Sequence, residues 1–98
     1  ITLVSFIAPF RSERDLAKDL MGNDILEVFI DVPIEIAELR DPKGLYKKAR
    51  SGLLKNFTGI DSNYEKPENP DIHIKSDKVS AEEAAEIIIK KLLQESVI

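Results

Sequence analysis

ILEVFIDVPIEIAELR, from Ile25 to Arg40, decides the fold. Its first half, Ile25 to Val32, is short, apolar and rich in β-branched residues, which predicts a strand. Pro33 stops the strand and suits the first turn of a helix, with Asp31 as the expected N-cap. Ile34, Ala37, Glu38 and Leu39 then continue at helical spacing. A strand running straight into a helix is half of a βαβ unit, and both flanks repeat the order.

Upstream, ITLVSFIA (Ile1 to Ala8) is apolar almost without break and ends at Pro9. That pattern predicts a strand buried on both faces, as in parallel sheets. Ser12 to Met21 is polar with Leu16, Leu20 and Met21 at helical spacing, and Gly22 is the expected C-cap. Downstream, Lys43 to Ser51 predicts a short basic helix bounded by Gly44 and Gly52. Leu53 to Pro70 carries Gly59, Asp61, Ser62, Asn63, Pro67 and Asn69, the composition of a long loop, with Asp61 expected to shape a turn. DIHIKSD, from Asp71 to Asp77, alternates with Ile72 and Ile74 on one side, so a third strand is expected with His73 facing outward. Ser80 and Glu83 form a capping box, and Ala84, Ile87, Ile88, Lys91 and Leu92 sustain a helical stripe to about Ser96.

The element order is that of an α/β fold with a parallel sheet and right-handed crossovers. Three parallel strands make an undersized sheet with an unpaired edge, so further strands are expected N-terminal to Ile1. The chain also opens on Ile1 rather than Met, which suggests that it is processed, excised or partial.

Ninety-eight residues allow one domain at most. Hydrophobic residues at 43% and charged residues at 33% exclude both a disordered chain and a membrane-spanning one. The opening lacks a basic n-region and a small-residue cleavage site, so it is not a signal peptide. With no cysteine there is neither a disulfide framework nor a thiolate metal site, which fits a reducing, cytoplasmic setting.

Charge is uneven. Arg40, Lys43, Lys47, Lys48, Arg50 and Lys55 face one acid, Asp41, giving this stretch +5, so the rest of a chain of net charge −4 carries −9. Such a segment is a local anion site or a solvated helix face, whereas a nucleic-acid-coating protein needs many phosphate contacts that the acidic remainder opposes. It runs directly into the loop bearing Phe57 and Gly59. A basic flap that closes over phosphates and expels water recurs in phosphoryl transfer.

The blocks IAPFRSERD, EVFIDVP, LRDPKGLYKKARSG and KNFTGIDSNYEKPENP cover Ile7 to Pro70 nearly continuously. In this the chain resembles the C-terminal half of adenylylsulfate (APS) kinase, and DPKGLYKKAR followed by FTGID is the most specific part. The resemblance implies a partial P-loop kinase-like three-layer fold, with residues 1–98 the C-terminal part of a single domain and a lid over about residues 40–66. It implies a kinase that transfers the ATP γ-phosphoryl group to the 3′-hydroxyl of APS, making PAPS in sulfate assimilation. The implied cofactors are ATP and Mg²⁺, and the implied partners are APS, ATP sulfurylase by fusion or association, and a second copy in a homodimer.

Residue by residue, the resemblance places Ile7 and Ala8 along the APS site. Lys43 would reach APS from the lid, and Asn56 and Phe57 would contact it, with the Phe57 ring stacked on its adenine. Arg40 and Val79 would pack around the ATP adenine. The plainer alternatives are a Phe57 that anchors the loop, a solvated Lys43 and a core Val79. No catalytic or metal-binding residue is assigned to this chain.

Two departures matter. Many members carry a Ser, phosphorylated in some, where this chain has Ala8, and Asn56 replaces a common Gly. The chain also has no G-x-x-x-x-G-K-[ST] and no DGD-type motif, its glycines being Gly22, Gly44, Gly52 and Gly59. The amides, lysine and hydroxyl that grip a nucleotide triphosphate and Mg²⁺ are therefore expected elsewhere, and this chain alone is expected to be inactive. The alternative is a non-catalytic APS-kinase-like nucleotide-binding regulatory domain attached to ATP sulfurylase; in such a domain Lys43 and Phe57 would be free to drift.

Overall fold

Every backbone N–H and C=O in a strand needs a partner, and that requirement sorts the predicted strands. In a computed structural model describing residues 1–60 and 62–98, two of them find one. Val28–Asp31 (β1) and Ile72–Lys75 (β2) pair in parallel, with Val28 opposite Ile72, Phe29 opposite His73, Ile30 opposite Ile74 and Asp31 opposite Lys75. The ladder is extended at its start by Ile72 N–H donating to the Glu27 carbonyl at 3.0 Å and Glu27 N–H donating to the Asp71 carboxylate at 2.7 Å. The expected α/β class with a parallel sheet is present.

The chain forms two compact units. One comprises Leu26–Lys43 and Asn69–Ile98 and contains β1, β2 and the helices Ile34–Arg40 (α2) and Ala81–Gln94 (α4). Its core is Phe29, Ile72 and Ile74, with Ile74 only 1% exposed. Alternation along β2 buries the two isoleucines and leaves His73 and Lys75 outside, as predicted. His73 is not idle there: its ring stacks on Phe29 at 4.9 Å and its Nε2 lies 2.8 Å from the Asp31 carboxylate. Asp31 is thus not the N-cap of α2. Pro33 holds that position, its carbonyl accepting from the Ile36 and Ala37 amides, because the Asp31 carboxylate is engaged across the sheet.

Helix α4 packs on β2 and starts where the sequence says. Glu83 N–H donates to Ser80 Oγ at 3.1 Å and Ser80 N–H to the Glu83 carboxylate at 3.3 Å. At the other end Ser96 takes φ +57°, while Val97 N–H reaches the Leu92 carbonyl and Ser96 N–H the Leu93 carbonyl. This is a Schellman closure with serine where glycine is usual.

The second unit comprises Ile1–Ile25 and Gly44–Glu68, with helices Arg11–Met21 (α1) and Leu45–Arg50 (α3). Gly22 closes α1 at φ +59°, its N–H donating to the Lys18 carbonyl, as expected of a C-cap, and a 3₁₀ turn over Gly22–Asp24 follows. Gly44 precedes α3 in the left-handed region, and Ala49 is buried.

Ile1 to Ala8 is not a buried strand: Leu3 is 87% and Phe6 84% exposed, and no strand among the described residues lies alongside to satisfy the backbone. Among the described residues the sheet therefore has two strands rather than three. The long loop is more ordered than its composition suggested. The Phe57 carbonyl accepts from the Ile60 and Ser62 amides, Gly59 N–H donates to the Ser62 carbonyl, and Glu65 N–H donates to the Pro9 carbonyl at 2.7 Å. The turn predicted at Asp61 lies outside the described residues. No helix among the described residues is long and apolar enough to cross a membrane.

Hydrogen exchange along α4 should report both caps. Ser80→Ala should cost about 1 kcal/mol, roughly fivefold faster exchange in the first turn. Ser96→Gly should relieve about 1 kcal/mol of left-handed strain and slow exchange in the last turn, and equal rates in all three proteins would contradict this account. The exposed Ile1–Phe6 segment predicts self-association, so sedimentation of the isolated chain should be concentration-dependent and less so in Phe6→Asp.

Candidate functional site

The residues that sequence reasoning marks as nucleotide contacts fall into two groups, each within one unit. Arg40 is the last residue of α2, where a cation also meets the negative end of the helix dipole. Its Nη1 donates to the Ser76 carbonyl at 2.9 Å. Ser76 opens the turn between β2 and α4, which is tightened by Lys78 N–H on the Lys75 carbonyl and carries the half-buried Val79. The structure therefore brings Arg40 and Val79 to one loop at the carboxyl end of β2. In open parallel sheets ligands lie outside the carboxyl ends of the strands, so the position suits a nucleotide. Lys43, in the turn after α2, is exposed.

Ile7, Ala8, Asn56 and Phe57 belong to the other unit. Phe57 is half-buried, its ring meeting that of Tyr46 edge to face at 5.0 Å and 69°. That contact holds the aromatic against α3. Asn56, immediately before it, is left-handed with φ +56°, a conformation that glycine adopts freely and asparagine tolerates better than most. This explains physically why Asn is an acceptable replacement there. Ala8 is also left-handed, with φ +40°.

The basic stretch divides between the units. Arg40 and Lys43 lie in one, and Lys47, Lys48, Arg50 and Lys55 in the other. Arg50 and Lys47 are engaged in contacts, so the segment is partly built into the fold. Among the described residues no group of three or more His, Cys, Asp or Glu is placed to hold a metal ion.

Sequence reasoning missed Arg14 and Glu65. Arg14 donates through Nη1 to the Ala8 carbonyl and through Nη2 to the Glu65 carbonyl, with its guanidinium carbon 5.6 Å from the centre of the Tyr64 ring. The Glu65 carboxylate accepts from Arg11 N–H at 2.8 Å, capping α1 from 54 residues away. Neither role has a local pattern to betray it, because each depends on long-range backbone partners.

Comparison with known proteins fits this geometry. The adenylylsulphate kinase family model matches residues 1–75. The adenylyl-sulfate kinase of Clostridium acetobutylicum is 52% identical over 98 residues, covering 100% of this chain and 49% of the relative. A bifunctional enzyme CysN/CysC of Xylella fastidiosa is 50% identical over 93 residues, covering 94% of this chain and 15% of the relative. In structure the chain is similar to the Mycobacterium tuberculosis APS kinase CysC solved in complex with AMPPNP and APS. The TM-score is 0.85 and the identity 45%, covering 92% of this chain and 53% of that one. The chain spans about half the length of the adenylyl-sulfate kinases it matches. Its parallel β1–β2 pair and the DPKGLYKKAR and FTGID blocks agree with these likenesses, and the chain belongs to the adenylylsulphate kinase family.

Proposed function

We propose that this chain is the lid- and adenine-binding part of an APS kinase, and that the whole protein transfers the γ-phosphoryl group of ATP to the 3′-hydroxyl of APS. The observation that carries the reading is the likeness of nearly the whole chain to a kinase solved with both an ATP analogue and APS. In this reading residues 1–98 are the C-terminal part of one kinase domain, and residues 40–66 form its lid.

The chain's own residues bind and orient. Phe57 stacks on the APS adenine, a contact worth about 1–3 kcal/mol for base–aromatic pairs. Asn56 shapes the turn that presents it, while Ile7 and Ala8 line the same substrate. Lys43 supplies a point charge to its phosphosulfate, which is the form in which lysine recognises such groups. Arg40 stacks its guanidinium plane on the ATP adenine beside Val79. Closure of the lid excludes water and strengthens each charged contact. Ala8 has no hydroxyl, so phosphate passes directly from ATP to APS, which positioning and electrostatics suffice to support.

The described residues of this chain do not suit Mg²⁺, having neither an acidic cluster nor a P-loop hydroxyl. We assign the metal and the triphosphate grip to polypeptide that carries a P-loop. The bifunctional relative supports fusion to a second enzyme, which the resemblance makes ATP sulfurylase. We take the whole protein to be a cytoplasmic homodimer, on the family resemblance.

Equilibrium dialysis with labelled APS tests the substrate site. The chain should retain APS, and Phe57→Ala should weaken retention by about 5- to 150-fold. Undiminished retention by Phe57→Ala would remove the stacking role. Incubated with ATP, Mg²⁺ and APS, the purified chain should form no PAPS; measurable PAPS would refute the division of labour proposed above.

A further inference from the structure

We propose that Arg14 is a positioning residue for APS: its guanidinium pins the left-handed backbone at Ala8 to the chain at Glu65, and so fixes the surface that Ile7 and Ala8 present. The inference rests on the reading of Ile7 and Ala8 as APS contacts.

Left to itself, the segment Ile1–Phe10 has no ladder to hold it. It acquires a fixed course only near Ala8, where three hydrogen bonds converge. Arg14 donates to the Ala8 carbonyl and, with its other terminal nitrogen, to the Glu65 carbonyl. Glu65 N–H donates to the Pro9 carbonyl at 2.7 Å. Two more bonds continue the seam, from Arg11 N–H to the Glu65 carboxylate at 2.8 Å and from Arg11 Nε to the Lys66 carbonyl at 2.9 Å. Segments more than 50 residues apart are stitched together with Arg14 at the end nearest Ile7.

The chemistry requires an arginine. Two carbonyls are bridged at once by two N–H groups held on different nitrogens of one rigid plane, whereas an ammonium gathers its three donors on one flexible atom and does not fix that geometry. Both bonds are charge-assisted, and Arg14 is half-buried, with Tyr64 5.6 Å away. Such a clamp is strong enough to hold Ala8 at φ +40°, a region that L-residues with a side chain avoid. Release of the clamp frees Ala8 to relax to an ordinary backbone conformation, which swings the Ile7 side chain and the Ala8 peptide.

Three proteins and two measurements test this: the wild-type chain, Arg14→Ala and Arg14→Lys, each followed by amide exchange at Glu65 and by equilibrium dialysis with APS and, separately, ADP. Arg14→Ala should speed exchange at Glu65 and weaken APS retention by about tenfold or more. ADP retention, which is assigned to Arg40 and Val79, should stay within about twofold, a split that general loss of structure would not give. Arg14→Lys should behave more like Arg14→Ala than like wild type; full rescue by lysine would show that charge alone matters and would overturn the clamp. Unchanged exchange at Glu65 in Arg14→Ala overturns it too, whatever APS does. Faster exchange with undiminished APS retention overturns the positioning role. If the wild-type chain does not retain APS while Arg14→Ala still speeds exchange, the APS reading fails and the positioning role with it, leaving the clamp as structural.

Discussion

The parallel ladder between Val28–Asp31 and Ile72–Lys75 is the contact on which one unit depends. Parallel strands cannot be joined by a tight turn, so the ladder closes a loop of some forty residues and must offset that loop's entropy with few bonds. The compensation comes from Ile72 and Ile74 buried on one face and from Phe29, which the register sets on the other face beside His73. A shift by one residue would turn Ile72 and Ile74 outward and His73 and Lys75 inward, burying charge for no gain. The same register sets His73 against Phe29 and within reach of Asp31, and it ends the strand so that Ser76 meets Arg40. The placement of the proposed ATP-adenine residues is thus a by-product of the way the core packs.

The other unit is held differently. With Ala49 its only buried apolar residue among those described, hydrophobic burial contributes little. Its order lies in backbone polar groups satisfied at long range: Glu65 serves Pro9 through its N–H, Arg14 through its carbonyl and Arg11 through its carboxylate. Hydrogen bonds of this kind contribute modestly in water but are directional, so they specify a path more than they stabilise it. A segment proposed to contact substrate needs that kind of specification.

Elements whose cause is local were legible in the sequence. The capping box of Ser80 and Glu83, the glycine at the end of α1, and the alternation about His73 depend on a few adjacent residues, and the structure reproduces them. Ile1–Ala8 was misread because apolar composition specifies a preference for burial and not a partner to supply it. Asp31 was misread because a carboxylate near a helix start has a stronger suitor across the sheet in His73. The motif blocks mark the residues proposed to meet nucleotide, but the Arg14 fork and the Glu65 seam depend on pairs more than 50 residues apart. Without an alignment or a fold, no spacing rule reaches that far.

Backbone strain offers an independent guide to where the site lies. Among the described residues three non-glycine residues are left-handed: Ala8, Asn56 and Ser96. Ser96 is explained by the closure of α4, whose two terminal hydrogen bonds require that geometry. Ala8 and Asn56 terminate no helix. Each such residue costs of order 1–3 kcal/mol and persists only where surrounding contacts over-determine it. For Ala8 those contacts are the Arg14 and Glu65 bonds; for Asn56 they include the Phe57–Ser62 turn that follows it. Strain from poor packing alone would fall anywhere along the loops. Here it falls on two of the five positions proposed to meet APS, beside Ile7 in one case and Phe57 in the other, where a fixed backbone is most useful to a ligand.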